Sequence, residues 1–160
     1  MNTLPLRAVV GLGANLGDRL ATMRAAARAL SLVARVEKAS RVYATAPVGG
    51  PAQPEYLNAA VLVASDSSPE DLLDALLAIE AGLGRVRREK DGPRTIDLDV
   101  LWIDGVTLDT SRLVVPHPRL CERAFALVPL LELVPDARDP RTGARYVVPD
   151  GEVRDTGESL

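Results

Sequence analysis

Arg85, Arg87, Arg88, Lys90 and Arg94 place five cationic side chains within ten residues, opposed in charge only by Glu89 and Asp91. Arginine presents fixed, always-charged donors that match phosphate oxygens two at a time, so such a cluster can grip a polyphosphate and a loop carrying it can close over one. The same run also fits a solvated charged face after a helix. Three residues beyond Arg94 begins Asp97-Leu98-Asp99. In a strand, residues i and i+2 share a face, which sets two carboxylates side by side with Cα atoms about 6.6 Å apart. Hard oxygen ligands so arranged suit magnesium, which takes one or two carboxylates and completes its shell with water and substrate phosphates. A plain polar outer face, with Ile96, Leu98 and Val100 turned to the core, is the alternative. Beside the cationic run, magnesium and phosphate is the better reading.

Other candidates carry less chemistry by themselves. His117, the only histidine, sits in Pro116-His117-Pro118, where the prolines favour extended backbone. It reads as a bystander or as a phosphate contact. Cys121 has no second thiol or histidine near it in sequence and reads as packing, as does Phe125 on periodicity alone. Gly11-Leu12-Gly13-Ala14-Asn15-Leu16-Gly17 lacks the third glycine of a dinucleotide fingerprint at position 16, and no G-x-x-x-x-G-K-[ST] occurs, which excludes a P-loop kinase.

The elements that must position these residues follow from pattern. Ala8 to Leu12 reads as a buried strand, with Gly11 and Gly13 opening a turn toward a helix capped by Asn15 and carrying Leu16, Leu20, Met23, Ala27 and Leu30 on one face. Val36 to Tyr43 and Leu57 to Ala64 read as strands flanking a Gly- and Pro-rich loop, Thr45 to Glu55. Ser68-Pro69-Glu70-Asp71 is a helix start, with a cap, a proline at the first position and acids at the positive dipole end. Ile96 to Ile103 is the next strand, and Asp104-Gly105 predicts a hairpin to Val106-Thr107-Leu108. The order β-α-β-β-α-β predicts an α+β fold with a ferredoxin-like core, an antiparallel sheet with both helices packed on one face. A C-terminal helix over Leu120 to Val128, interrupted or restarted at Pro129, follows, and the tail from Asp136 reads as loop with at most a short strand at Tyr146 to Val148.

The 160 residues, 47% of them hydrophobic, suit one domain over 1–160, with its core at about 6–135 and mostly loop and tail over 136–160. One cysteine excludes a disulfide framework, and the apolar runs are far too short for a membrane span. With no signal-peptide pattern at the start, a cytoplasmic setting is expected. A net charge of −3 and 3% aromatic residues argue against a nucleic-acid coat.

Gly92-Pro93-Arg94-Thr95-Ile96-Asp97-Leu98-Asp99-Val100-Leu101 resembles the signature of the 6-hydroxymethyl-7,8-dihydropterin pyrophosphokinases of folate biosynthesis. The likeness extends through Gly11 to Gly17, Ala46-Pro47, Gln53-Pro54-Glu55-Tyr56-Leu57-Asn58-Ala59-Ala60, Glu80 with Gly84-Arg85-Val86-Arg87, Pro116-His117-Pro118-Arg119 and Glu122-Arg123-Ala124-Phe125, and fades after about Pro135. The resemblance implies a transferase that moves the terminal two phosphates of ATP onto a pterin alcohol with magnesium, releasing AMP. By position it implies that Asp97 and Asp99 hold two magnesium ions, that Arg85 and Arg94 neutralise charge on the transferring group, and that Glu80, Arg87, Arg94, Arg112, His117 and Arg123 contact ATP. Thr45, Ala46, Val48, Tyr56, Asn58 and Phe125 would line the pterin slot, Phe125 offering an aromatic face and Asn58 both donating and accepting at the amide edge. Asp91 stands where the family often carries an aromatic residue.

The implied partners are these two small molecules, with no nucleic acid and no membrane; the oligomeric state is open. Two rivals share the strand order. An RNA-binding module of the RRM type needs sheet aromatics, of which Ile96 to Ile103 has only Trp102, and a small-molecule sensing domain has no need of paired acids beside arginines.

Overall fold

A computed structural model of the chain describes residues 5–46, 54–83 and 96–160. Among the described residues, eight strands and three α-helices follow in the order β1 (Leu6–Ala14), α1 (Arg19–Leu30), β2 (Arg35–Ala39), β3 (Arg41–Thr45), β4 (Tyr56–Ser65), α2 (Pro69–Gly82), β5 (Asp97–Ile103), β6 (Leu108–Asp109), β7 (Val114–Val115), a 3₁₀ turn (Leu120–Glu122), α3 (Ala124–Leu133) and β8 (Arg154–Ser159). The main sheet is antiparallel and runs β5-β1-β4-β3-β8, with β2 pairing the far half of β4. Its first four positions are the β-α-β-β-α-β arrangement expected from the sequence, an α+β fold.

Alternation along the strands divides the interior in two. Ala8, Val10 and Leu12 of β1 and Val61 and Val63 of β4 pack with Met23, Ala26 and Leu30 of α1 and Leu72 and Leu76 of α2. Val9, Ala60 and Leu62 turn the other way, onto Leu127, Leu130 and Leu133 of α3. Both faces of the sheet are therefore covered, α1 and α2 on one and α3 on the other. Among the described residues no helix is long and apolar enough to cross a membrane.

Several local expectations are corrected. Gly11 and Gly13 lie inside β1, and α1 is capped by Asp18, whose carboxylate accepts the Ala21 N–H at 3.2 Å, while Asn15 is fully buried and Leu16 lies outside the helix. Ala26, not Ala27, completes the buried stripe of α1. Val36 to Tyr43 is not one strand. The buried Ser40 splits it into β2 and β3, its hydroxyl accepting the Ala60 N–H at 2.8 Å where the ladder slips, and Glu132 of α3 accepts the next amide, from Arg41. The Asp104-Gly105 turn closes, with Val106 N–H on Ile103 O, but the returning chain pairs with β7 in a separate two-stranded sheet. Pro129 sits within α3 without breaking it; lacking an N–H, it cannot donate to the Phe125 carbonyl one turn back. The tail contributes β8 at 154–159, and Tyr146 to Val148 forms no strand. Ser68 caps α2 as expected, its Oγ accepting the Asp71 N–H at 3.2 Å.

Candidate functional site

The face of β5 opposite Ile96, Leu98 and Val100 carries Asp97 and Asp99, both half-buried. Their partners across the sheet are Gly13 and Gly11. A strand interior normally disfavours glycine, and here its use is spatial. A Cβ on Gly11 would lie 2.9 Å from Leu101 Cδ1, and one on Gly13 would lie 3.4 Å from Asn58 Oδ1. The two glycines thus leave the space above them to the side chains of Leu101 and Asn58. Gly13 in turn pairs with Asn58 of β4. Asp97, Gly13 and Asn58 thus share one row across the sheet, and Asp99 lies in the row of Gly11 and Ala60.

These rows line a cleft of about 750 Å³ beside the start of α3. Thr45 and Ala46 at the end of β3, Tyr56 and Asn58 of β4, and Phe125 in the first turn of α3 all line it, together with Asp97 and Asp99. Asn58 is buried and donates from Nδ2 to Thr45 Oγ1 at 3.0 Å, which turns its Oδ1 toward Gly13 and the cleft floor. Phe125 is 36% exposed at the cleft, so it is not the core residue its periodicity predicts. Arg123 stacks over the Phe125 ring, its guanidinium carbon 5.6 Å from the centroid, and also lines the cleft. Asn58 and Phe125 offer a flat polar heterocycle a hydrogen-bonding edge and an aromatic face.

His117 stands beside β5. Its N–H donates to Leu101 O at 2.9 Å, and its Nδ1 accepts the Arg119 N–H at 3.1 Å. Burial holds its pKa below the ordinary value despite the pull of the Asp99 charge, and Arg123 and Arg119 push the same way as burial. The neutral ring therefore carries its proton on Nε2, which makes it a donor. Arg112 lies apart, paired with Asp74 of α2, and does not line the cleft. Glu80, expected among the ATP contacts, is 3% exposed and lies off the cleft. Its carboxylate accepts the Leu98 N–H at 2.8 Å, holding β5 by the amide between the two aspartates. Val48, Arg85, Arg87 and Arg94, and with them the proposed arginine loop and Asp91, lie outside the described residues.

Sequence reasoning passed over other lining groups. Gly11 and Gly13 read as a turn because their in-strand role depends on what faces them. Asp150, Gly151, Glu152 and Val153 come to the cleft from the tail with no motif to announce them. Trp102 decides one rival: a bulge in the β1–β5 pairing turns it into the α3-side core, where Nε1–H donates to Arg138 O at 2.9 Å, so it presents no ring for base stacking.

Comparison with known proteins agrees with this geometry. Residues 9–135 match the model of the family described as 7,8-dihydro-6-hydroxymethylpterin-pyrophosphokinase (HPPK). The chain is 47% identical over 142 residues to the 2-amino-4-hydroxy-6-hydroxymethyldihydropteridine pyrophosphokinase of Synechocystis sp., covering 88% of this chain and 72% of that one. It is 41% identical over 139 residues to the Bacillus subtilis enzyme of the same name, covering 86% and 83%. Among solved structures, an HPPK-DHPS in complex with substrates superposes with a TM-score of 0.71 at 14% identity, over 90% of this chain. The Plasmodium falciparum HPPK-DHPS A437G chain crystallised with SDX-DHP gives 0.67 at 13% identity, over 91% of this chain. The chain spans only 42% and 45% of those two solved chains, and they speak for the fold alone.

Proposed function

The chain belongs to the 7,8-dihydro-6-hydroxymethylpterin-pyrophosphokinase (HPPK) family, and from that premise we propose that it moves the terminal two phosphates of ATP, as one diphosphate, onto the hydroxymethyl oxygen of 6-hydroxymethyl-7,8-dihydropterin, releasing AMP. Its activity is pyrophosphoryl transfer in folate biosynthesis. We treat residues 1–160 as one domain, β8 being a further strand of the same sheet.

One observation carries the assignment of parts. The cleft separates an anion-handling end, Asp97 and Asp99 beside Gly13 and Gly11, from a heterocycle-handling end, Asn58 with Thr45 and Phe125. Among the described residues no three His, Cys, Asp or Glu side chains converge as a metal site, so the aspartates offer only part of a coordination shell. That fits magnesium, which leaves the rest of its shell to water and phosphate oxygens. Asp97 and Asp99 would hold two magnesium ions, which when bound supply positive charge to the phosphates flanking the reacting phosphorus. Asn58 and Phe125 hold the pterin so that its hydroxyl faces the acid pair. The hydroxyl oxygen attacks the β-phosphorus in line, its proton passes to solvent water, and the bond from that phosphorus to the α-phosphate oxygen breaks to give AMP. Arg85 and Arg94 stabilise charge on the moving diphosphate. Arg87 and Arg123 hold the triphosphate, with His117 donating from Nε2; Arg112, paired with Asp74 away from the cleft, is not placed among them. Glu80 acts through the backbone of β5 rather than on the nucleotide.

Chromatography of a reaction containing magnesium, ATP and the dihydropterin tests this. One AMP is expected per pterin consumed, with no ADP and no free pyrophosphate. ADP as the stoichiometric product would mean attack at the γ-phosphorus and would remove the assignment.

A further inference from the structure

The family match ends at residue 135, yet the cleft does not. Asp150, Gly151, Glu152 and Val153 line it from the tail, and their position is imposed by β8. That strand pairs antiparallel with β3, Tyr43 against Asp155 and Ala44 against Arg154. One further step of the same register sets Val153 opposite Thr45, the residue that holds Asn58. The pairing is fastened by side chains as well. Arg41 Nε donates to Asp155 at 2.6 Å, Thr156 Oγ1 to Val42 O at 2.8 Å, and Arg154 to Glu55 at 2.9 Å, just before β4 begins.

From Val153 the chain runs back to the start of α3. There a Cβ on Gly151 would lie 3.3 Å from Ala124 Cβ, closer than ordinary contact, so the backbone rests on the residue preceding Phe125. The segment therefore bridges the end of β3 to the first turn of α3. It closes the cleft at the sheet edge opposite β5 and the aspartates.

We propose that residues 150–153, held by the β3–β8 pairing, form the outer wall of the pterin subsite, and that Gly151 sets how closely this wall approaches Phe125. The inference rests on the pterin reading above. Any side chain at 151 must lift the wall from Ala124 or turn into the cleft, and both change the slot for a flat ring while leaving the aspartate end untouched.

Hydrogen–deuterium exchange on the full chain, saturated with magnesium and α,β-methylene-ATP, tests the wall. Adding 6-hydroxymethyl-7,8-dihydropterin should slow exchange over 150–156. In parallel, Gly151→Leu should need roughly five- to tenfold more pterin for half-saturation, with nucleotide affinity within about twofold of the unaltered chain, the scale expected when an apolar contact is misfitted. Pterin that binds the unaltered chain, seen by its own fluorescence, without changing exchange over 150–156 overturns the wall alone. So does a folded Gly151→Leu variant with unaltered pterin affinity. Should that variant not fold, the exchange result on the unaltered chain decides. If the unaltered chain binds no pterin, the proposed function fails and the wall with it.

Discussion

Asp97 and Asp99 show how two side chains acquire chemistry by sharing one face of a strand. Both line the cleft opposite glycines of β1, and a neutral isostere fills the same shape. Asp97→Asn or Asp99→Asn should therefore lower turnover by at least about a hundredfold while leaving the melting temperature nearly unchanged. A large fall in melting temperature with normal activity in the folded fraction would make them structural instead. His117 carries a second expectation at this scale. Burial lowers its folded pKa, and Nδ1 is committed to the Arg119 N–H. The unfolded chain thus takes up a proton near pH 6.5 that the folded chain refuses. The resulting stability is complete above that pH and is lost as pH falls toward the folded value. Melting curves from pH 7 to 5 should fall more steeply for the unaltered chain than for His117→Gln, and an imidazole titrating above 6.5 by NMR would reverse the sign.

Elements act on the site through their ends and edges. Glu80 reaches from the last turns of α2 to an amide of β5, the strand at the sheet edge, and so fixes the backbone between the two aspartates. Glu80→Ala should cost about 1–3 kcal/mol in unfolding free energy, since it removes a buried acceptor from the Leu98 amide. It should also lower kcat more than it raises KM for ATP, because the aspartates lose their fixed spacing. An equal change in KM alone, with unaltered kcat, would make Glu80 a nucleotide contact. α3 works from its first turn, bringing Arg123 and Phe125 to the cleft while Glu132 near its other end accepts from Tyr43 and the Arg41 amide.

Across the molecule, the sheet separates two cores with different duties. The α1/α2 core supports the fold from behind, whereas the α3 core directly carries cleft residues. Met23→Ala and Leu127→Ala, each at a fully buried position, should cost a similar 2–5 kcal/mol. Only Leu127→Ala should also weaken pterin binding by the folded fraction, because relaxation around that cavity moves the turn bearing Phe125. Isothermal titration below each variant's unfolding transition distinguishes them, and equal pterin affinity in both would show that the cores are not divided in this way.

What the sequence determined by itself was local or ordered along the chain. The Ser68 cap and Pro69 start α2 whatever surrounds them, because the cap satisfies an amide three residues away. The period-two spacing of Asp97 and Asp99 puts them on one face of any strand, and the ordered run of motifs carried the family resemblance through to Phe125. The tertiary structure decided whatever depended on a distant partner. Gly11 and Gly13 became strand rather than turn because Asp99, Asp97 and Asn58 face them. Ser40 divided a continuous β pattern because the ladder to β4 slips there. Phe125 left the core for the cleft because its helix begins at the cleft's rim. β8 is exposed along nearly its whole length, so no hydrophobic alternation marks it. Its extended form comes from hydrogen bonds along the edge of β3 and from ion pairs to Arg41 and Glu55, partners about a hundred residues away that chain order cannot reveal.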